Sequence, residues 1–409
     1  MTLPARIAIE ALRAGVPNRA AIRLMGNEHS DIEHAFDAVL HAAWAPGARA
    51  GIGIAGGFGT GKSHLLGYLA EVARQQSFVV SRVAVSKEMP LAHPGHVFAA
   101  AIRDAVLPDR NDDALSAAIA ALRARPAELE RLEAAVSTPS VGFAPHFAAA
   151  LFLLRRAATP PETARRLERF LGGAALASGT LRGALKEAGA GKLFALGPVD
   201  AHDLTLQRIA FAPLLFRAAG YGGWCILFDE VELIGRYTPL QRAQSYAWLA
   251  TWLGLDGARP FPGIVATYAV TDDFASAVIN ARQDSEKLPD RLRLKGRGQD
   301  AALALAMIGH IERTVLDRRL LPPGAAELAA CHDRMRRLYG DAYGWDAPAL
   351  APPERTASRT MRQYIKAWIT AWDMARLYGT AGAIIAGTIA SNYQEDADLA
   401  AAPDDDATA

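Results

Sequence analysis

Residues 56–63 constrain the fold of this chain more than any other segment. They read Gly-Gly-Phe-Gly-Thr-Gly-Lys-Ser, which matches G-x-x-x-x-G-K-[ST], and they lie between an apolar run at 50–55 and a segment of helical periodicity at 62–75. Glycines let backbone N–H groups close around a phosphate, where side chains would block its approach. The positive end of the following helix faces the same anion. The pattern therefore predicts a phosphate-binding loop at a strand-to-helix turn.

The residue types in this loop correspond to particular chemical tasks. The ammonium group of Lys62 is expected to reach the β- and γ-phosphates, and the hydroxyl of Ser63 to help hold magnesium. His64 follows on the first turn of the helix, where a structural role is the simpler interpretation. A chance match in a chain of this size has odds on the order of one in a hundred, so a nucleotide with Mg²⁺ is expected here. The predicted nucleotide-binding residues are Gly56, Gly57, Phe58, Gly59, Thr60, Gly61, Lys62, Ser63 and His64.

Apolar and β-branched runs predict the strands of a parallel sheet. Residues 78–85 read Phe-Val-Val-Ser-Arg-Val-Ala-Val and follow the predicted helix, so that strand, helix and strand form a βαβ unit. Such a unit implies a parallel sheet with right-handed crossovers. Further strands are predicted at 224–228 and 263–270, with helices at 203–219 and 241–253. The expected fold class is α/β, with the parallel sheet of a P-loop NTPase.

The predicted strand at 224–228 is followed directly by two carboxylates, Asp229 and Glu230. In a phosphoryl-transfer site, Asp229 would hold magnesium, and Glu230 would orient and polarise the attacking water. The Asp-Glu order, and the lack of an N-K-x-D guanine motif in the sequence, favour ATP over GTP. Glu232 is interpreted as a solvated neighbour rather than a third catalytic acid. Acidic turns at strand ends are common, so this prediction depends on the loop upstream.

Polar and basic residues after the fourth strand complete the predicted site. A hydroxyl at the tip of that strand could detect the γ-phosphate; Thr271 is the first choice and Thr267 the second, with strand capping as the alternative. An arginine often meets the charge that develops on the transferred phosphoryl group. Arg291 could reach a neighbouring subunit, whereas Arg362, or Arg359 beside it, could reach the nucleotide of its own subunit. For each of these arginines taken singly, a solvated side chain is the more common case.

Changes in sequence pattern divide the chain into four predicted regions. We expect an N-terminal helical segment at 1–48, an ATPase core at 49–298, a helical lid at 299–392 and an acidic disordered tail at 393–409. The core is expected to contain a helical insertion at about 107–200, rich in Ala, Leu, Arg and Glu. Beyond the core, the pattern is helical and no further strand is expected.

Composition limits the class of protein. The 409 residues include 44 Lys and Arg against 43 Asp and Glu, a net charge of +1, which excludes a histone-like protein and a strongly acidic disordered one. Two distant cysteines, Cys225 and Cys331, provide neither a disulfide framework nor a cysteine-based zinc site. The longest apolar run, 143–154, is too short to span a bilayer, and the N-terminus lacks the pattern of a signal peptide. A cytoplasmic protein without membrane contact is expected.

The order of loop, acidic pair, polar strand tip and helical lid resembles that of AAA+ ATPases of the origin-recognition and helicase-loader type. The resemblance covers about residues 8–106 and 203–375 and leaves 107–200 without a match. It narrows to the small ATP-binding proteins of BREX bacteriophage-defence systems, the BrxD-like group. Four segments carry this narrower resemblance: 10–17, 25–28, 88–91 and 359–366.

This resemblance implies ATP binding and hydrolysis in the bacterial cytoplasm, and cooperation with other defence proteins such as a helicase or methyltransferase. By position, Lys62 and Ser63 would bind phosphate and magnesium, and Arg362 would be the sensor in the lid. Of the acidic pair after the third strand, Asp229 would bind the metal and Glu230 would act on the attacking water. Asn27 departs from the arginine that is commoner in the family at this place.

Three functions remain open from the sequence. The first is an ATPase switch or motor, expected to form a homo-oligomer, that remodels or loads a DNA-acting partner. The second is a non-hydrolysing, ATP-bound assembly module; the third, a small-molecule kinase, is disfavoured because the C-terminal helices resemble a lid rather than a substrate pocket. Direct DNA contact is possible through two basic clusters, although solvated faces are the simpler interpretation. The clusters are Arg155, Arg156, Arg165, Arg166 and Arg169, and Arg291, Arg293, Lys295 and Arg297.

Overall fold

The computed structural model describes residues 2–15, 18–27, 29–47, 51–110, 112–138, 142–350 and 360–379. The strands are β1 (Ile52–Gly56), β2 (Phe78–Ala84), β3 (Gly223–Asp229), β4 (Ile264–Val270) and β5 (Arg319–Leu320). The helices are α1 (Leu3–Ala14), α2 (Arg19–Met25), α3 (Ser30–Ala42), α4 (Lys62–Gln75), α5 (Pro94–Arg103), α6 (Ala114–Arg123), α7 (Pro126–Ser137), α8 (Pro145–Arg155), α9 (Pro161–Leu171), α10 (Ser178–Glu187), α11 (Ala201–Ala218), α12 (Pro239–Leu253), α13 (Asp284–Leu294), α14 (Gly298–Asp317), α15 (Ala325–Tyr343) and α16 (Met361–Tyr378). A 3₁₀ helix covers Val231–Arg236 and a π-helix covers Ala275–Asn280.

The five strands form one parallel sheet in the order β2-β3-β4-β1-β5. Thr267 on β4 lies opposite Ile52 of β1 on one side and Leu227 of β3 on the other. Because the carboxyl ends of parallel strands share one edge, the loop after β1 and the acidic residues after β3 open at the same edge, with β4 between them. The predicted α/β class with a parallel sheet is confirmed.

The fifth strand corrects the expectation that no strand follows the core. Arg319 and Leu320 pair in parallel with Ala55 and Gly56, and the backbone N–H of Ala55 donates to the carbonyl of Arg318 at 3.0 Å. A two-residue strand is too short to produce an alternating pattern, so the sequence contains no periodic signal for it. Tertiary pairing with β1 is what makes this segment extended.

The phosphate-loop helix α4 packs on one face of the sheet with α3. Leu66 and Leu69 of α4 and Phe36 of α3 are fully buried against Ile54 and Leu227 of the strands. These apolar residues of α4 lie three or four positions apart, which is the spacing of one helix face. Their burial holds the start of α4, and hence the loop, in a fixed position relative to β1.

The other face of the sheet is covered by α5, α11, α12 and α14, and by helices of the region predicted as an insertion. Helices α6–α10 share this apolar core through residues such as Leu122, Phe147 and Leu167. The helix α12 begins with a capping box between Thr238 and Gln241, with Pro239 in its first turn. Within the described residues, no sheet strand occurs between 107 and 200.

A second group of helices, here called the helical body, consists of α1, α2, α15 and α16. Its own core includes Ile9 from the N-terminal side and Met335 and Trp372 from the C-terminal side. By contrast, α14 packs on β1, α12 and α13, and its Met307 and Ile311 lie in the core of the sheet. The boundary predicted at 298/299 therefore falls one helix too early, because α14 has an apolar face that the sheet buries.

No helix of the described residues combines the length and apolar character needed to cross a bilayer. The predicted acidic tail at 393–409 and Arg359 lie outside the described residues.

Candidate functional site

A cavity of about 430 Å³ lies between the phosphate loop and the helical body. The loop residues 58–63 and the acidic residues after β3 line one side of it. The other side belongs to the helical body, and its apolar residues are Leu12, Met25, Cys331, Met361 and Ile365. Such a cavity combines an end suited to phosphate with walls suited to an apolar group.

The backbone of the loop requires glycine at three places. Gly59 and Gly61 have φ values of 77° and 108°, a region that L-residues with side chains rarely adopt. A Cβ on Gly59 would lie 2.9 Å from the hydroxyl of Thr360, the residue that precedes α16. A Cβ on Gly56 would lie 2.6 Å from the hydroxyl of Thr60. Any side chain at these positions would displace the loop.

Lys62 is folded against the loop from which it extends. Its ammonium group donates to the carbonyls of Gly56 at 2.6 Å and Gly57 at 3.1 Å, and it lies 5.5 Å from the centre of the Phe58 ring. Burial lowers the pKa of Lys62, while the neighbouring carboxylate of Glu232 acts in the opposite direction. The ammonium group is thus held at the loop by neutral acceptors and by nearby acids.

His64 connects the loop helix to the helical body. Its Nε2 atom lies 3.1 Å from the carbonyl of Gly26, in the turn after α2. Burial lowers the pKa of His64, so that the neutral imidazole is favoured and donates this hydrogen bond. His64 lines the cavity, and its ring also links α4 to the turn after α2.

Asp229 and Ser63 lie close together at the acidic end of the cavity. One guanidinium nitrogen of Arg82 on β2 lies 3.5 Å from Asp229 Oδ2 and donates to the Ser63 carbonyl at 3.4 Å. Asp229 Oδ1 accepts from the backbone N–H of Glu230 at 3.0 Å. Carboxylate and hydroxyl oxygens are the ligands that Mg²⁺ prefers, so Asp229 and Ser63 fit the predicted metal site. Sequence reasoning missed Arg82, because only the pairing of β2 with β3 brings it to this place.

Glu230 has a strained backbone at the end of β3. Its φ and ψ values are 59° and 33°, in the left-handed region, which costs a residue with a side chain on the order of 1 kcal/mol or more. Burial and the charge of Asp229 raise the pKa of Glu230, and Lys62 opposes them. Strained residues of this kind concentrate at functional sites.

The interpretation of Glu232 as a solvated residue is wrong. Its side chain is buried, with 5 % of the residue exposed, and its Oε2 atom has no hydrogen-bond partner in the part of the chain that the structure describes. Burial raises its pKa to about 7, with Lys62 acting in the opposite direction. The chain turns into the 3₁₀ helix 231–236 directly after Glu230, and this turn directs position 232 inward. No pattern in the sequence signals such a short helix.

Of the predicted sensors and arginines that lie within the described residues, one reaches the cavity. Arg362 at the start of α16 lines it. Thr271 and Thr267 are buried at β4, and Arg291 is exposed on α13; none of the three lines the cavity.

Five other polar residues line the cavity and were not predicted as site residues: Asn27, His29, Arg236, Glu327 and Arg334. Asn27 was noted only as a departure from the family pattern. Arg334 lies on α15 and Arg236 ends the 3₁₀ helix. Sequence motifs could not identify these residues, because they reach the cavity from elements that are far apart in the chain.

The predicted basic clusters are partly neutralised by acidic neighbours. Arg155 lies 3.3 Å from Glu133 and 3.4 Å from Glu130, and Arg166 lies 3.2 Å from Glu162. In the second cluster, Arg293 pairs with Asp290 at 2.8 Å. These arginines serve local ion pairs, which weakens the case for continuous phosphate-binding surfaces.

A glycine loop between a parallel strand and a helix, with its lysine and an acidic strand end at one cavity, defines a P-loop-like α/β protein. Residues 4–122 match the family model described as BREX system ATP-binding protein BrxC/D. The match includes the whole phosphate loop and covers less than a third of the chain. The predicted resemblance is confirmed: over these residues the chain is similar to BrxC/D. The comparisons with curated proteins and with solved structures yield no match.

Proposed function

We propose that this protein binds ATP with Mg²⁺ at residues 56–63 and hydrolyses it, acting as an AAA+-type switch or loader for DNA-acting partners in bacterial antiviral defence. One observation carries the proposal: the ammonium group of Lys62, the loop, and the carboxylates of Asp229 and Glu230 meet at one cavity. Strain at Glu230 is consistent with a role in chemistry rather than stability.

The residues divide the work of ATP hydrolysis as follows. The backbone N–H groups of the loop and the start of α4 hold the phosphates, and Lys62 moves from the loop carbonyls to the phosphate oxygens. Ser63 and Asp229 would hold the metal, with Arg82 fixing the Asp229 carboxylate. The metal, when bound, neutralises developing negative charge on the phosphoryl oxygens. Glu230 orients the attacking water and takes its proton.

In this proposal, the helical body forms the lid of the nucleotide site. Arg362 of α16 is the sensor that contacts the nucleotide of its own subunit, and the apolar wall around Met25 and Ile365 takes the base. Neither Thr271 nor Arg291 lines the cavity. Thr271 would act as a sensor only if β4 moves, and Arg291 would act only on the nucleotide of a neighbouring subunit. A homo-oligomer, in which Arg291 reaches the next subunit, is therefore part of the proposal.

The proposed partners follow from the BREX similarity of residues 4–122. Other proteins of the defence system, such as a helicase or methyltransferase, would respond to the nucleotide state. DNA would be reached directly or through these partners. A protein working at these tasks would be located in the cytoplasm.

The test compares steady-state phosphate release by the wild type and by Glu230→Gln, with partner proteins present. Hydrolysis by the variant should fall by about a hundredfold or more, since the water loses its base, while binding of ATP persists. Glu187→Gln, at an exposed position on α10, is the matched control and should hydrolyse ATP normally. Equal absence of hydrolysis in wild type and variant, with ATP still bound, would favour the non-hydrolysing assembly module.

A further inference from the structure

Glu232 has a buried carboxyl oxygen that no group of the described residues satisfies. The residue is 5 % exposed, and Oε2 lacks a hydrogen-bond partner. It lines the same cavity as Lys62, Ser63 and Asp229. Leaving a buried carboxyl group unsatisfied costs free energy, and most buried polar atoms in proteins have a partner. The partner of this oxygen is therefore expected among the ligands of the cavity.

The charges near Glu232 indicate the chemistry of that ligand. Lys62 is the opposite charge with the largest effect on its carboxyl group, while Asp229 and Glu230 are like charges that oppose its ionisation. A triphosphate adds further negative charge at this end of the cavity. A carboxylate repels such a group in a poorly solvated site, unless a cation accompanies it.

Resting on the proposed nucleotide site, we propose that Glu232 makes nucleotide binding depend on a divalent cation. Mg²⁺ retains several of its water molecules when it binds to proteins, usually with only one or two carboxylate ligands. Ser63 and Asp229 hold the ion, and the free oxygen of Glu232 accepts hydrogen bonds from its water. In the absence of the ion, the same carboxylate repels the incoming triphosphate. The site thereby admits a nucleotide as its metal complex.

The other charged residues of the cavity are placed differently. Arg334 and Arg362 extend from α15 and α16 of the helical body. Glu327 also lines the cavity, but its carboxylate accepts a hydrogen bond from the backbone N–H of Gly324 at 3.3 Å. Glu327 is thus a carboxylate of the same cavity whose hydrogen-bonding need is met by the protein itself.

The experiment measures equilibrium binding of a non-hydrolysable ATP analogue to the full chain, with Mg²⁺ and with a chelator in its place. It is carried out at about pH 8, where the carboxyl group of Glu232 is largely ionised. The readout is the ratio of the dissociation constants without and with Mg²⁺. In Glu232→Gln this ratio should fall by about tenfold or more, mainly through tighter binding in the chelator. In Glu187→Gln, at an exposed position on α10 away from the cavity, it should equal that of the wild type.

Each other outcome has a distinct meaning. An unchanged ratio in Glu232→Gln overturns the inference and leaves the proposed nucleotide site intact. If the ratio is unchanged and this variant has lost hydrolysis, the inference is still overturned, and Glu232 would be assigned to the attacking water instead. No binding to the wild type in either condition overturns the proposed function itself. If Glu232→Gln does not yield folded protein, Glu232→Ala is measured in the same way, because both changes remove the charge.

Discussion

Lys62 is the residue on which phosphate binding most directly depends. It is held by the carbonyls of Gly56 and Gly57, so its ammonium group is already at the loop before a ligand arrives. Charge-assisted hydrogen bonds contribute about 1.5–3 kcal/mol each, so Lys62→Ala should weaken ATP binding by about ten- to a hundredfold. Equilibrium dialysis with labelled ATP measures this. Lys192→Ala, on an exposed loop, should bind ATP with the affinity of the wild type. Equal ATP affinities of the wild type, Lys62→Ala and Lys192→Ala would contradict the assigned phosphate site.

The raised pKa of Glu232 predicts an unusual pH dependence of the free energy of unfolding. Its pKa is about 7 in the folded protein against 4.5 as the ordinary value, so the folded protein binds this proton more tightly than the unfolded chain does. The free energy of unfolding should therefore fall as the pH rises from about 4.5 to about 7, by on the order of 3 kcal/mol from this group. Glu232→Gln cannot lose a proton. Its stability relative to the wild type should increase between about pH 5 and about pH 8.

Urea unfolding of both proteins at these two pH values provides the measurement. Glu327→Gln serves as the control for a glutamate of the same cavity that has a hydrogen-bond partner. A stability difference between Glu232→Gln and wild type that is the same at both pH values would show that burial does not perturb this carboxyl group.

At the scale of elements, a buried ion pair fixes α13 against α12. Arg242 donates to both carboxylate oxygens of Asp284, at 2.8 and 3.0 Å, and the hydroxyl of Tyr246 donates to the same carboxylate at 3.2 Å. Asp284 is fully buried and opens α13, directly after Gln283 with its φ of 57°. The pair therefore holds a strained turn, and with it the helix that contains Arg291.

Breaking this pair should be costly. Asp284→Asn leaves the guanidinium group of Arg242 buried without its counter-charge, and removal of one partner of a buried pair typically costs about 3–5 kcal/mol. Asp290→Asn breaks the exposed pair with Arg293 on the same helix and should cost about 1 kcal/mol or less. Urea unfolding compares the two variants. Similar losses of stability in both would contradict the importance of the buried pair.

At the scale of the whole molecule, the cavity lies where the helical body packs against the phosphate-loop helix α4 through α2. Arg13 of α1 donates to Asp373 of α16 at 2.8 Å and to the hydroxyl of Tyr343 on α15 at 3.2 Å. The same helix α1 contributes Leu12 to the cavity wall, and Gly15 lies just after it. Contacts of α1 with the C-terminal helices therefore shape the proposed nucleotide site.

Loss of these contacts should affect both stability and binding. Arg13→Ala should lower the free energy of unfolding by about 1–2 kcal/mol, since it removes a partly buried charged network. It should also weaken ATP binding several-fold, because the wall at Leu12 becomes less ordered. Thermal melts with and without nucleotide measure both effects, and Arg131→Ala, in an exposed pair on α7, is the control. Reduced stability with unchanged ATP affinity would show that α1 does not contribute to the nucleotide site.

The elements and the centre of the site could largely be predicted, but its periphery could not. The strands β1 to β4 and the helix α4 follow from runs of apolar residues, and Lys62 and Asp229 follow from motifs attached to these elements. Glu232 and Arg334 carry no such signal. Their roles depend on which elements enclose the cavity.

Local chemistry accounts for the parts of this protein that are evident in its amino-acid order. Glycine backbone freedom, strand-forming residues and helix periodicity act over a few positions, so the phosphate loop and the acidic end of β3 are encoded within short segments. Packing decided the remainder: the pairing of β5 with β1, the burial of Glu232, and the joining of α1 with α16. These features bring together residues up to several hundred positions apart, and their free energy comes from burial that only the folded chain provides.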